Sequence, residues 1–172
     1  INAMFYDPVR EEILDYVDGQ KDLAARLVRC VGAASDRFAE DHLRLLRAIR
    51  FATTLDFDIE SLTRAAIVAH APLLPRISAE RIGAEFTRIL MEAVRPGDAL
   101  QLLLDVGLLE TFLPEVAAMA GQEQPEEFHP EGDVFEHTRM MLNALSCREV
   151  RLVYAVLLHD VGKPLTAHHD GT

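Results

Sequence analysis

The spacing of apolar residues changes near residue 41, and this change is the strongest constraint on the fold. Before it, the runs INAMFYDP and EEILDYVD are typical of short β-strands separated by a proline-containing turn, which predicts a hairpin. A glycine turn with a short helix follows, and LVRCVG predicts another strand. After residue 41 the apolar residues recur at helical spacing. We predict helices near residues 41–55, 59–70, 79–93, 97–107, 134–146 and 149–160.

Length and cysteine content narrow the class of protein. With 172 residues, 49% of them hydrophobic, the chain is long enough to bury a substantial core. Cys30 and Cys147 lie far apart and form no CxxC pair, which argues against a disulfide framework and fits a reducing cytoplasm. The longest apolar runs, YAVLL and LQLLL, are much shorter than a membrane span. We therefore expect a soluble, cytoplasmic protein with no membrane partner.

The net charge of -11 is unevenly distributed along the chain. Residues 21–51 carry seven Lys and Arg against four Asp and Glu, and so have a net charge of +3. Residues 110–136 carry eight Asp and Glu with no Lys or Arg, and so have a net charge of -8. Local charge matters more than the total when the ligand is a phosphate. The chain therefore has a basic section and an acidic one.

The stretch EDHLRLLRAIRF, residues 40–51, places Arg44, Arg47 and Arg50 at intervals of three. On a helix these arginines form a stripe beside a separate apolar face, with Asp41 at its edge. Guanidinium groups donate paired hydrogen bonds to phosphates and to the acceptor edges of bases. The spacing alone favours a solvated helix face held by salt bridges.

Several motifs, in order along the chain, resemble one family. EDHLRLLRAIRF resembles the EDxxRxxRxxRF signature of class II tRNA nucleotidyltransferases, the CCA-adding enzymes, and of bacterial poly(A) polymerases. INA at residues 1–3 resembles the end of the RRDFTINA motif, and Asp15, Gly19 and Asp22 resemble the D-x-x-x-G-x-x-D hinge motif. RLVRCVGAASDRFAED resembles the segment that leads into the neck, and ISAERIGAEFTRIL resembles the ERIxxE helix.

The resemblance implies roles for individual residues. Asp41 and Arg44 would face the Watson–Crick edge of ATP or CTP, where a carboxylate accepts from the exocyclic amine and a guanidinium donates to ring acceptors. Arg47 and Arg50 would continue towards the nucleotide, and Asn2 would lie near its sugar or support the backbone of the site. Asn2 is equally compatible with a hydrogen bond at a turn or strand edge.

Gly19 and Asp22 would, by the same resemblance, allow and steady movement between head and neck. Their spacing also fits a plain turn followed by a helix cap. Glu80, Arg81 and Glu85 are interpreted as a structural, salt-bridged helix.

The family's catalytic carboxylates have no counterpart in this sequence. By the resemblance, the Gly-Gly loop and the DxD carboxylates that hold two Mg²⁺ ions lie upstream of Ile1. Asp56 and Asp58 resemble a DxD only as letters, because they fall in the expected connection between two helices. We therefore expect an internal fragment that does not transfer nucleotides by itself.

A second constellation lies near the end of the sequence. FHPEGDVFEHTRMML and VLLHDVGKP place His137, His159 and Asp160 on two predicted helices. The pattern resembles the HD domain appended to many bacterial members of the family, and this implies that the three residues bind a divalent metal ion. Lys163 would contact phosphate. The family's last Asp would lie beyond Thr172, which leaves the set one ligand short.

The other candidate ligands in this part of the chain are assigned no role. His129, His168 and His169 are interpreted as exposed linker and tail residues, and Asp170 comes too soon to be the last Asp of the motif.

The resemblance divides the chain into three parts. The fold class is mainly α, with a short β remnant of the nucleotidyltransferase head in residues 1–33, an all-α neck and body in residues 34–120, and a linker with the start of an α-helical HD domain in residues 121–172. The leading hypothesis is addition of CCA to the 3′ end of tRNA from CTP and ATP. The alternatives are a poly(A) polymerase, an HD-domain phosphohydrolase, and an RNA-binding helical module without enzymatic activity.

Overall fold

A computed structural model describes residues 3–122 and 132–166 of the chain, and it confirms a mainly α fold. The predicted hairpin is present. Strand β1 (Met4–Asp7) pairs with β2 (Glu12–Asp15) in antiparallel register, with Met4 opposite Asp15. The Asp7 carboxylate accepts hydrogen bonds from the backbone of Val9 and Arg10 in the connecting turn.

A second, very short sheet links the start of the chain to its middle. After helix α1 (Gly19–Ala24), strand β3 (Leu27–Val28) pairs in parallel with β4 (Asp58–Ile59). The segment LDFDIE was expected to be only a connection between helices, and this part of the expectation is wrong. The Arg26 guanidinium donates to both the carbonyl and the carboxylate of Asp56, 2.7 Å in each case, and so brings the segment alongside β3.

The six helices predicted from apolar spacing are all present, each end within two residues of the prediction. They are α3 (Leu43–Leu55), α4 (Ser61–His70), α5 (Ala79–Glu92), α6 (Pro96–Asp105), α9 (Val134–Ala144) and α10 (Val150–Leu158).

The sequence did not predict the shorter helical segments. They are α2 (Ala34–Glu40), a 3₁₀ helix (Ala71–Arg76), α7 (Leu109–Phe112), α8 (Pro114–Ala117) and α11 (Lys163–Thr166). A segment of at most two turns is too short to show a helical period.

The core is centred on α3, which packs against α5 and α6. Leu45, Leu46 and Ile49 of α3 are completely buried, as are Ile89 and Leu90 of α5. Each such side chain contributes about 1.5–3 kcal/mol through its removal from water. The apolar face of α3 therefore fixes which side of this helix is left for polar contacts.

Helices α9 and α10 continue the same core. α9 packs on α6, and α10 packs on α5 and α9. Phe135 and Leu142 of α9, and Val153 and Leu157 of α10, are buried in one cluster with the residues of α3 and α5. The boundary at residue 121 stays a prediction, while the described residues on its two sides share one hydrophobic core.

Polar contacts hold α9 against the start of α6. The backbone N–H of Gly97 donates to the Asn143 side-chain oxygen at 2.8 Å, and the Arg139 Nε donates to the Gly97 carbonyl at 3.2 Å. Arg139 and Asn143 both donate to one oxygen of Asp98. The bond to Asn143 satisfies a backbone N–H that the N-terminus of α6 leaves open, and the others hold α9 against the same turn.

Arg148, in the connection between α9 and α10, binds backbone groups at the end of α5. Its guanidinium donates to the carbonyl oxygens of Ala93 and Val94, immediately after α5. The C-terminal end of α5 is thereby satisfied by a side chain from the far part of the sequence.

Replacement of Gly97 by alanine should destabilise the chain by about 1–3 kcal/mol, because the new Cβ would lie 2.8 Å from the Arg139 carbonyl carbon and closer still to its oxygen. The free energy of unfolding, measured by urea titration, checks this. Gly83→Ala is the matched control, since that Cβ would meet no atom within 4 Å. It should stabilise α5 by about 0.5–1 kcal/mol. Equal effects of the two substitutions would contradict the tight contact between α6 and α9.

Candidate nucleotide cavity and metal cluster

A cavity of about 320 Å³ lies beside α3, bounded also by α2 and the end of β3. Four arginines contribute to its wall, and no carboxylate does among the described residues. They are Arg29, Arg37, Arg44 and Arg47. Phe51 adds an aromatic ring to the same wall. Guanidinium groups next to an aromatic ring suit a ligand that carries both phosphates and a base.

Two of the predicted arginines, Arg44 and Arg47, reach this cavity. The Arg44 Nη1 donates to the Glu40 carboxylate at 2.6 Å and to the Arg37 carbonyl at 2.9 Å. The Arg44 guanidinium, helped by that of Arg37, holds the pKa of the Glu40 carboxyl below its usual value. Arg47 is exposed and makes no ion pair within the described part of the chain. Its guanidinium is therefore available to a ligand.

Asp41 marks the beginning of α3. Its carboxylate accepts from the backbone N–H of Leu43 at 3.1 Å and lies 3.6 Å from the Arg81 guanidinium. Its carbonyl accepts from the backbone N–H of Arg44. Asp41 does not contribute to the cavity wall, and the base-reading pair of Asp41 and Arg44 stays a prediction.

Arg50 occupies a different environment from the other two arginines. Its side chain is only 10% exposed, and its Nε donates to the Glu85 carboxylate at 2.6 Å. Its Nη1 donates to Glu92 at 3.1 Å, so that Arg50 ties α3 to α5. Three residues rotate an α-helix by about 300°, which is about 60° short of a full turn. Arg50 is therefore turned by about 120° relative to Arg44, away from the cavity and towards α5. Arg50 thus does not line the cavity with Arg44 and Arg47.

The D-x-x-x-G-x-x-D pattern has a clear local structure. The Asp15 carboxylate accepts backbone hydrogen bonds from Val17, Gly19 and Gln20, at 2.8–3.1 Å. These three N–H groups lower the pKa of Asp15 below its usual value. Asp15 thereby connects the end of β2 to the start of α1.

The other two residues of this pattern face a second cavity, of about 350 Å³. Gly19 lies against Met4, since a Cβ here would come within 2.9 Å of the Met4 side chain. Asp22 pairs with Arg29 at 2.9 Å. The two cavities share Arg29 and Cys30 in their walls. The predicted hinge residues are therefore neighbours of the arginine cavity, although their motion stays a prediction.

Sequence reasoning did not select Arg29 and Arg37 as site residues. The one sequence feature that points to them is the net charge of +3 over residues 21–51, a section that contains both arginines. Their position in the cavity wall depends on the pairing of β3 and the packing of α2, which no local spacing specifies.

The structure brings His137, His159 and Asp160 together. One ligand atom from each residue lies within 4.8 Å of the ligand atoms of the other two. His137 belongs to α9, and the other two residues follow α10 directly. The His159 Nδ1 lies 2.7 Å from the Val156 carbonyl, and its Nε2 lies 3.2 Å from the Asp160 carboxylate. A backbone partner at Nδ1 places the proton there and leaves Nε2 as a ligand atom.

This donor set fits a divalent transition metal. Two imidazole nitrogens and one carboxylate oxygen suit Zn²⁺, Mn²⁺, Fe²⁺ or Ni²⁺ better than a hard cation such as Ca²⁺.

The Lys163 Nζ, predicted to contact phosphate, lies 2.7 Å from the Asp160 carboxylate. Asn2, His129, His168, His169 and Asp170 lie outside the described residues.

Comparison with known families identifies a recognised segment in the middle of the chain. Residues 56–119 match the family described as "Probable RNA and SrmB- binding site of polymerase A".

In the described ranges, no helix is long and apolar enough to cross a membrane.

Curated relatives match almost the whole chain. The Multifunctional CCA protein of Ectopseudomonas mendocina (strain ymp) is 42% identical over 175 residues, which are 96% of this chain and 41% of the relative. The Multifunctional CCA protein of Leptothrix cholodnii is 40% identical over 174 residues, 98% of this chain and 40% of the relative. The chain thus spans about two fifths of the length of these relatives.

A solved structure has the same fold. The Bacillus stearothermophilus CCA-adding enzyme in complex with CTP superposes with a TM-score of 0.64 at 28% identity, over 96% of this chain and 46% of that one.

Replacement of Arg50 by methionine should cost about 3–5 kcal/mol of unfolding free energy, because it leaves the Glu85 carboxylate buried without its partner. Arg88→Met is the matched control, since Arg88 pairs with Glu92 at 2.9 Å but is 52% exposed. That loss should stay below about 1 kcal/mol. Urea denaturation of both variants measures the difference. Similar losses in the two variants would contradict a structural role for the buried pair.

Proposed function

Because this chain belongs, by sequence and by fold, to the family of class II CCA-adding enzymes, we propose that the protein containing it adds C, C and A to tRNA 3′ ends from CTP and ATP. The observation that carries the proposal is the cavity beside α3, whose wall has four arginines and no carboxylate among the described residues. A nucleoside triphosphate matches this charge. A cytoplasmic enzyme with tRNA as its partner follows from the same proposal.

In this proposal the arginines of α3 bind the incoming nucleotide. Arg47 contacts phosphate, because its guanidinium is exposed and has no ion-pair partner in the described ranges. Arg44 and Asp41 read the base, which requires Asp41 to turn from Arg81 towards the cavity. Both cytosine and adenine carry an exocyclic amine beside a ring acceptor, so one carboxylate–guanidinium pair serves both bases. Arg50 does not contact the nucleotide but holds α3 against α5 through Glu85.

The chemical step requires groups outside this sequence. The tRNA 3′-hydroxyl attacks the α-phosphate of the nucleotide, and pyrophosphate leaves. Carboxylates of the head domain would hold Mg²⁺, which supplies charge stabilisation at the attacking and leaving oxygens. The residues described here bind and orient the nucleotide. In the proposed division, residues 1–33 complete the head and residues 34–120 form the neck and body.

A second candidate function belongs to the metal cluster. We propose that residues 121–172 begin an HD domain in which His137, His159 and Asp160 hold a divalent metal ion. The observation that favours it is the convergence of their ligand atoms within 4.8 Å. A metal ion there would supply Lewis-acid activation for phosphoester hydrolysis. Lys163, next to Asp160, would contribute positive charge for a phosphate substrate.

Nucleotide incorporation by the full-length protein tests the first proposal. We expect ordered addition of C, C and A to tRNA transcripts that end before C, after one C and after CC. Arg44→Ala and Asp41→Ala should each reduce kcat/KM at least about ten-fold, the loss expected for one charge-assisted contact. Arg10→Ala should leave it unchanged, because Arg10 lies in the hairpin turn with 72% of its side chain exposed. Addition of A alone would indicate a poly(A) polymerase, and no incorporation of either nucleotide would refute the transferase.

Calorimetric titration of the chelator-treated protein with Zn²⁺ or Mn²⁺ tests the metal cluster. We expect one binding event that weakens at least about ten-fold in His159→Ala. Cys147→Ser is the control, since Cys147 is exposed and lies outside the cluster. Unchanged binding in His159→Ala would refute the site, whereas binding without hydrolysis of a phosphodiester would indicate a structural metal.

A further inference from the structure

Arg29 stands where the two cavities meet. The arginine cavity beside α3 and the second cavity beside α1 share Ala3, Arg29, Cys30 and Val31 in their walls. Arg29 is the one charged residue of this shared wall in the described structure. A change in its side chain therefore affects both cavities.

The hydrogen bonds of Arg29 use only part of its guanidinium. Its Nε lies 3.1 and 3.0 Å from the two oxygens of Asp22, and its Nη2 lies 2.9 Å from one of them. The Nη1 donates no hydrogen bond to the described residues. Arg29 is 48% exposed, while the Asp22 carboxylate is 17% exposed. One edge of the guanidinium is thus bound to Asp22. The Nη1 is left for a first contact with a ligand, whereas a paired contact through Nε and Nη2 requires Asp22 to be displaced.

Asp22 belongs to α1, so this ion pair also holds α1 in place. The pair spans the six-residue helix and the residue that follows β3. The Asp22 carboxylate raises the pKa of Arg29, so the guanidinium remains charged at every pH of interest. The charge available to a ligand is therefore constant, and only its partner can change.

We propose that Arg29 is a further phosphate-binding residue of the nucleotide cavity, and that Asp22 holds its guanidinium until a polyphosphate competes for it. This inference rests on the proposed nucleotide-binding function. A triphosphate carries more negative charge than one carboxylate and matches the guanidinium fork equally well. Binding of the nucleotide would therefore loosen Asp22, and with it α1. Occupancy of the cavity is in this way transmitted to the predicted hinge.

A purely structural ion pair predicts the opposite sign for one substitution. If Asp22 only positions Arg29, its removal weakens anion binding. If Asp22 competes with the ligand, its removal strengthens anion binding, because no bond to the carboxylate has to be broken. Asp22→Asn keeps the size of the side chain and removes its charge, and so separates the two cases.

Equilibrium titration of the full-length protein with tripolyphosphate, CTP and cytidine at a fixed salt concentration tests the proposal. Arg29→Ala should weaken tripolyphosphate and CTP binding about ten-fold, the loss expected for one charge-assisted contact, and leave cytidine binding unchanged. Asp22→Asn should tighten the binding of both anions several-fold, and should have no effect in the Arg29→Ala background. Lys21→Ala is the matched control, because it removes a cation of α1 that lies in neither cavity wall. It should change these affinities less than about two-fold.

The outcomes separate this inference from the proposed function. A wild-type protein that binds neither CTP nor tripolyphosphate overturns both. Binding that is lost in Arg44→Ala but unchanged in Arg29→Ala overturns only the role of Arg29. Weaker binding of tripolyphosphate in Asp22→Asn overturns the competition, provided that its thermal unfolding matches the wild type. Arg29→Lys should give intermediate affinity, because it keeps the charge and loses the fork.

Discussion

The rotation of α3 about its own axis is set by its apolar face together with one buried ion pair. Arg50 and Glu85 meet inside the apolar contact between α3 and α5, 10% and 7% exposed respectively. Such pairs cost desolvation, and their contribution to stability is often small compared with an apolar replacement. Their contribution to orientation is different, because a rotation of α3 would carry the Arg50 guanidinium away from the Glu85 carboxylate. We interpret the pair as the contact that orients Arg44 and Arg47 towards the cavity.

Much of the helical fold follows from local apolar spacing. α3 and α5 each run for more than three turns, and so their buried residues repeat often enough to reveal the period. α7 and α8 have four residues each, and the two-residue strand β4 exists only because residues 26–28 lie beside it. These elements depend on contacts between distant parts of the chain, which a local pattern does not contain.

The candidate sites were predictable to different degrees. His137, His159 and Asp160 were selected from a family motif, and the packing of α9 and α10 brings their ligand atoms together. The motif resemblance groups Arg50 with the nucleotide-binding arginines, because it lies in one series with Arg44 and Arg47. Only the position of α5 shows that the last member turns inward. Arg29 could not be identified, since neither cavity exists until β3, α1 and α3 are assembled.

Because of the contacts of Arg139 and Arg148, the chain cannot be cut near residue 121 without loss of contacts on both sides. Both side chains bind backbone groups of the preceding part of the chain, at Gly97 and at residues 93–94. A cut near residue 121 would remove the side-chain partners of the backbone groups at Gly97, Ala93 and Val94, and would expose Phe135 and Leu142 to water. The side chains of His137, His159 and Asp160 would then lose the packing surface that holds α9 and α10. The convergence of His137, His159 and Asp160 thus depends on the packing of α9 and α10 against α5 and α6.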